Sequence, residues 1–149
     1  MELKGGSGRS LADISVLVVD DNNYICDLLQ RLLTAMGFNM IFTASTAVEA
    51  FRIVKGKTVD LVISDWEMPG KSGLDFLKAC REALGTDMAH TCFVMLTAHT
   101  ERENVLEAMQ AGVDGFVVKP ISPQSLYERV MKALAVRQQK IDDDDDVFL

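Results

Sequence analysis

Proline and cysteine are scarce in this chain, with 3 of each among 149 residues. Cys26, Cys80 and Cys92 form no CxxC pair, and their odd number, behind a polar start that is no signal peptide, fits reduced, packed thiols and a cytoplasmic location. No apolar run approaches the roughly 20 residues of a membrane helix, which excludes membrane insertion. No excess of basic charge exists either. The net charge is −7, and of the 22 acidic residues five lie in the single run Asp142–Asp146, which leaves 17 against 15 basic residues in the body. Such a balance lacks the basic stripe that nucleic-acid binding requires. Neither G-x-G-x-x-G nor a P-loop follows the first apolar run, which disfavours a nucleotide-binding Rossmann domain.

What is present is a globular composition, 48% hydrophobic and 25% charged, in a length that suits one domain. Residues 1–13 contain Gly-Gly-Ser-Gly and read as a flexible lead-in, residues 14–140 as the folded body, and residues 141–149 as an acidic, disordered tail. The apolar Val147-Phe148-Leu149 after the acids also reads as a short linear motif. Within the body, short apolar runs alternate with helical patterns. Strands are expected at Val16–Val19, Met40–Phe42, Val59–Ser64, Cys92–Leu96 and Phe116–Val118. The first helix carries Ile25, Leu28, Leu29, Leu32, Leu33 and Met36 and stops at Gly37. Capping pairs Thr46/Glu49, Ser72/Asp75 and Thr100/Glu103 open the next three, the last with Val105, Ala108 and Met109 inward and Gly112 at its end. Ser122-Pro123 launches the fifth through Leu126, Val130 and Leu134. Five strands, apolar on both faces, in strict alternation with five helices predict a doubly wound parallel α/β sheet of order 2-1-3-4-5.

In such a sheet ligands bind at the carboxyl ends of the strands. Those ends are Asp20-Asp21 after strand one, Asp65 after strand three, Thr97-Ala98 after strand four and Lys119-Pro120 after strand five. Any one of these residues alone reads as a turn or cap. Together they place three carboxylates at one edge, a set without thiolate or imidazole that selects a hard divalent ion, Mg²⁺. A carboxylate beside that ion acts as a nucleophile toward phosphorus, with Lys119 neutralising phosphoryl oxygens and the Thr97 hydroxyl donating to one of them.

The segments Val18-Val19-Asp20-Asp21, Ser64-Asp65-Trp66-Glu67-Met68-Pro69-Gly70, Leu96-Thr97-Ala98 and Val118-Lys119-Pro120 resemble the signature blocks of two-component response regulator receiver domains, closest to CheY-like single-domain members. The resemblance runs from about Ser15 to Val136. It implies that Asp65 is the phosphoacceptor, served by a sensor histidine kinase or histidine phosphotransfer protein. It implies a Mg²⁺ site of Asp20, Asp21, Asp65 and the backbone carbonyl of Glu67, with Asp21 a direct ligand, and a cis Lys119-Pro120 bond. Thr97 and Phe116 are then the switch pair, Glu67 and His99 tune the lifetime of the phosphoryl group, and the face of the fourth helix, fifth strand and fifth helix controls a downstream output protein. The expected assembly is a monomer or a phosphorylation-linked dimer. Beyond its own phosphoryl transfer and dephosphorylation no enzymatic turnover is expected. Two alternatives differ in kind. A Mg²⁺-dependent phosphohydrolase of haloacid-dehalogenase type wants DxD with its nucleophile at the first strand, where this chain has Asp20-Asp21 in series. A phosphorylation-independent pseudo-receiver adaptor usually lacks the acceptor or the lysine, and both are present.

Overall fold

The computed structural model describes residues 10–98 and 102–146. Five parallel strands, β1 (Ser15–Val19), β2 (Met40–Ala44), β3 (Leu61–Asp65), β4 (Cys92–Thr97) and β5 (Gly115–Val118), lie in the order β2-β1-β3-β4-β5. Helices α1 (Asn23–Met36), α2 (Ala47–Gly56), α3 (Gly73–Leu84), α4 (Arg102–Ala111) and α5 (Pro123–Asp146) fill the crossovers. The doubly wound architecture matches the sequence-based expectation.

Alternation along the strands explains why they read as apolar on both faces. Val16, Val18, Leu61, Ile63, Val94 and Leu96 point to one side, where Leu29 and Leu33 of α1 and Leu126 and Val130 of α5 close the core. Leu17, Val19, Val62, Phe93 and Met95 point to the other, against Ala50 of α2, Phe76 and Leu77 of α3 and Ala108 of α4. Because β2 and β3 flank β1 on opposite sides, the chain reverses direction there and leaves a crevice at the carboxyl ends of β1 and β3.

Local signals hold where their hydrogen bonds form. Gly37 ends α1 at φ +117° and donates its N–H to the Leu33 and Thr34 carbonyls. Ser72 and Asp75 make a reciprocal capping box at α3, whereas Thr46 accepts from the Glu49 N–H at α2 while the Glu49 carboxylate turns to the Ser45 N–H and hydroxyl. The Thr100/Glu103 pair falls outside the described residues.

Four expectations are corrected. Pairing of β3 begins at Leu61, not Val59, with the Asp60 carboxylate accepting from the Ser15 N–H at 2.9 Å. Met109 is 58% exposed, not inward, because α4 meets the core through Ala108 and leaves the next position outside. At the front, residues 11–13 are not a loose lead-in. Leu11–Asp13 form a 3₁₀ turn capped by Ser10, and Leu11 is buried in the α1–α5 core beside Gly37. At the back, α5 continues through Asp146, with Gln138 and Gln139 donating to Asp142 and Asp143 one helical turn on. Residues 1–9 and 147–149 lie outside the described residues.

Candidate functional site

Four strand ends converge at the crevice. After β1, the Asp20 N–H still reaches the Ala44 carbonyl at 3.1 Å, which holds the residue against the sheet and leaves it 1% exposed. One carboxylate oxygen, Oδ1, accepts from the Asn22 N–H at 2.9 Å. Asn22 is also the cap of α1, so a single turn both starts the helix and aims the acid. The buried Cys26 thiol donates to the Asp20 carbonyl at 3.3 Å. The second oxygen of Asp20, Oδ2, is buried and has no hydrogen-bond partner among the described residues, with Lys119 Nζ standing off at 3.6 Å.

Asp65 is the last residue of β3, buried, and its Oδ1 accepts from Lys119 Nζ at 3.0 Å. The backbone around it is fixed from two directions. The Trp66 N–H donates to the Leu96 carbonyl at 2.9 Å and carries the β3–β4 ladder past the acid. On the other side, the Gly73 N–H donates to the Trp66 carbonyl at 2.8 Å, and a Cβ at Gly73 would run into the Asp65 carbonyl oxygen. Only glycine admits so close an approach. Lys119 follows β5 directly, donates its N–H to the Thr97 carbonyl at 2.8 Å and precedes Pro120 through a cis bond. Thr97, the last residue of β4, is 3% exposed at this same edge.

Carboxylate oxygens of Asp20, Asp21 and Asp65 lie within 4.8 Å of one another, the first and last buried and Asp21 exposed. Among the described residues three negative groups thus face one ammonium. Burial raises the Asp20 pKa despite the Asn22 hydrogen bond, and the charges of Asp65 and Asp21 add to the rise while Lys119 opposes it. Burial works against the Lys119 ammonium, but its hydrogen bond to Asp65 and the Asp65 and Asp20 charges outweigh that cost and hold its pKa above the usual lysine value. An all-oxygen donor set with excess negative charge and one orphaned buried oxygen fits a hard dication, which takes carboxylates and retained water.

The remaining expected positions are distributed around this cluster. Glu67 is exposed in the β3–α3 loop and, with Trp66, Pro69 and Asn104, lines a groove of about 660 Å³. Phe116 is half-buried on β5 and packs on the α2–α3–α4 side of the sheet. His99 lies outside the described residues. Gly73, Asn22 and Cys26 support the site and were not singled out from sequence. Asn22 ahead of a helical pattern is a legible cap signal, and a glycine directly after the Ser72 cap is an unusual helix opening that marks close approach.

A doubly wound sheet with three carboxylates and a lysine at one carboxyl edge is the arrangement of receiver modules. Residues 16–131 match the response regulator receiver domain family, and the chain belongs to that family. It is 36% identical over 120 residues to the chemotaxis protein CheY-3 of Vibrio cholerae serotype O1, covering 80% of this chain and 91% of that protein. The solved structure of the chemotaxis response regulator CheY4 of Vibrio cholerae superposes with a TM-score of 0.74 at 31% identity, covering 80% of this chain and 98% of that one. A chain of the CheX-CheY-BeF3-Mg²⁺ complex from Borrelia burgdorferi superposes with a TM-score of 0.73 at 28% identity, covering 84% and 90%. The chain is a CheY-like receiver, a module of two-component signalling.

Proposed function

We propose that the chain is a phosphorylation-dependent switch in which Asp65 accepts a phosphoryl group from a histidine kinase or a histidine phosphotransfer protein. The observation that carries this reading is the Asp65 carboxylate held at 3.0 Å from Lys119 Nζ, beside the partnerless Oδ2 of Asp20. A carboxylate oxygen of Asp65 attacks the phosphorus of a phosphohistidine. The new O–P bond forms as the P–N bond breaks, and the imidazole leaves with the electron pair and takes up a proton. Lys119 offsets charge on the phosphoryl oxygens, and the Thr97 hydroxyl donates to one of them. Magnesium, held by Asp20, Asp21, Asp65 and the Glu67 backbone carbonyl, would supply the positive charge that lets an anionic acid meet an anionic phosphoryl group. The Mg²⁺ in the Borrelia complex supports that choice of ion, and its CheX supports a protein partner for this fold.

Output runs through the face of α4, β5 and α5. Leu106, Met109 and Val118 are exposed apolar side chains there, a surface suited to a partner protein. Movement of the Thr97 hydroxyl toward the phosphoryl group, followed by Phe116, would change that face, and a few kcal/mol of differential affinity suffices to switch a partner. Glu67, exposed in the β3–α3 loop, and His99, two residues after Thr97 in the sequence, set the access of water and so the lifetime of the phosphoryl group. The protein works in the cytoplasm as a monomer or phosphorylation-linked dimer and turns over only its own phosphoryl group. Among the described residues no helix is long and apolar enough to cross a membrane.

Incubation with acetyl phosphate followed by intact-mass measurement tests the reading. Wild type is expected to gain one phosphoryl group with Mg²⁺ and none in EDTA, and Asp65→Asn to gain none. Equal gain by Asp65→Asn would overturn it.

A further inference from the structure

Between α2 and α3, on the side of the sheet away from α1 and α5, lies a groove of about 490 Å³ that phosphoryl chemistry does not use. Its floor includes Val48, 57% exposed, together with Phe51 and Phe76. Its rim carries four cations, Arg52, Lys55, Lys71 and Lys78, against two carboxylates, Asp75 and Glu82, and so has an excess of positive charge. Lys78 is taken by Glu107 at 2.9 Å, but Arg52, Lys55 and Lys71 pair with no carboxylate among the described residues, and Lys55 Nζ lies 5.9 Å from the centre of the Phe51 ring. An apolar floor under unpaired cations fits an occupant that is apolar and acidic.

The sequence holds one segment of that pattern, Asp142–Asp146 followed by Val147-Phe148-Leu149. Near the end of α5 Lys140 donates to Asp114 at 2.9 Å, and Asp142, Asp143 and Asp144 beyond it are exposed. The helix is strained electrostatically there. Five adjacent acids repel one another, and they sit at the carboxyl end of α5, where the helix dipole is negative. A cationic groove relieves both effects. Because α5 packs on the opposite side of the sheet from α2 and α3, the acidic segment starts away from its own groove. We propose that residues 142–149 of one copy dock in the α2–α3 groove of a second copy, with the acids on Arg52, Lys55 and Lys71 and the apolar residues on Val48, Phe51 and Phe76. The contact joins two different surfaces, so each copy offers one of each, and it does not require phosphorylation.

Sedimentation velocity of the full chain tests this. The average mass is expected to rise with protein concentration, to fall toward the monomer as salt is raised, and to behave identically in Asp65→Asn. Two variants each lose one half of the contact, a chain ending at Ile141 and the double substitution Arg52→Glu, Lys71→Glu. Each is expected to be monomeric alone and to form a one-to-one complex when mixed. A labelled peptide of residues 141–149 is expected to bind the shortened chain at least about tenfold more tightly than the same chain carrying both substitutions, equivalent to about 1.4 kcal/mol. Unchanged loading from acetyl phosphate shows that the variants are folded. The proposal is overturned if wild type stays monomeric at every concentration, if association survives loss of residues 142–149, or if the peptide binds both grooves alike. A monomeric wild type whose groove accepts the peptide only after shortening would mean that the segment covers its own groove, and would equally overturn docking on a second copy.

Discussion

The two ends of the sheet carry buried charge in opposite proportions. At the carboxyl edge three carboxylates face one ammonium. At the amino edge the one buried carboxylate among the described residues, Asp114, is clasped by three cations, with Arg137 at 3.0 Å, Lys140 at 2.9 Å and Arg81 at 3.5 Å, and it also accepts from the Phe93 N–H at 2.9 Å. The positive excess there is absorbed by backbone. Arg81 donates to the Met88 and Gly112 carbonyls and Arg137 to those of Gly112 and Ala89, while the Arg81 guanidinium lies 4.8 Å from the Phe93 ring centre. Among the described residues of this cluster only Arg81 Nε lacks a partner. Burial, with Arg137 alongside, lowers the Arg81 pKa to about 10, so that guanidinium stays charged at neutral pH. The amino edge is thus electrostatically closed, and it ties α3, β5 and α5 together. The carboxyl edge keeps an orphaned oxygen and an unmatched negative charge, so it is open to a ligand. Buried charge marks a binding site when its partners run out, not merely because it is buried.

Breaking the closed end should cost most. Asp114→Asn leaves three cations around a neutral amide, and urea unfolding is expected to show a loss of about 3–5 kcal/mol. A loss below about 1 kcal/mol would mean that the carbonyls alone hold the cations. Filling the open end should give the next largest effect. Mg²⁺ at about 100 times its dissociation constant is expected to stabilise wild type by about 2.7 kcal/mol, read as a rise in Tm. That rise should disappear in Asp21→Asn. Gly73→Ala forces a methyl group onto the Asp65 carbonyl and is expected to cost about 1–3 kcal/mol and to slow loading from acetyl phosphate. Stability lost without any change in loading would separate Gly73 from the acceptor.

A smaller effect has the opposite sign. The Asp20 carboxyl is raised above its ordinary value in the metal-free fold, so the stability this group contributes is present at low pH and lost as pH rises through the raised value. At neutral pH in EDTA, Asp20→Asn is therefore expected to melt above wild type. The gap should close below about pH 4, where a normal carboxylate protonates even when unfolded. A lower Tm for Asp20→Asn at pH 7 would contradict the charge excess. Glu107→Gln, which breaks only the exposed pair with Lys78, is expected to leave the unfolding midpoint unchanged.

The open end was legible in the sequence and the closed end was not. Asp20, Asp65, Thr97 and Lys119 each terminate an apolar run, so the order of the strands is enough to collect them at one edge. Asp114 meets Arg81 and Arg137 across 33 and 23 residues of chain, and no periodicity links positions so placed. Gly73 is similar, since its need for glycine comes from the Asp65 carbonyl of another element. The acidic run reads as disordered by composition, but composition takes no account of Gln138 and Gln139 one turn earlier, which bond to Asp142 and Asp143. Met109 reads as core by its spacing but lies outside it, because steps of three and four share a helix face only approximately.

The central claim is that the unmatched acid edge makes Asp65 a phosphoryl carrier. Borohydride reduction of the acetyl-phosphate-treated protein, followed by peptide mapping, reads this directly, because the reagent converts an aspartyl phosphate to homoserine. Homoserine at position 65, dependent on Mg²⁺ and absent from Lys119→Ala, is the expected result. Conversion at Asp20 or Asp21, or none at all in a protein that binds Mg²⁺, would contradict the account.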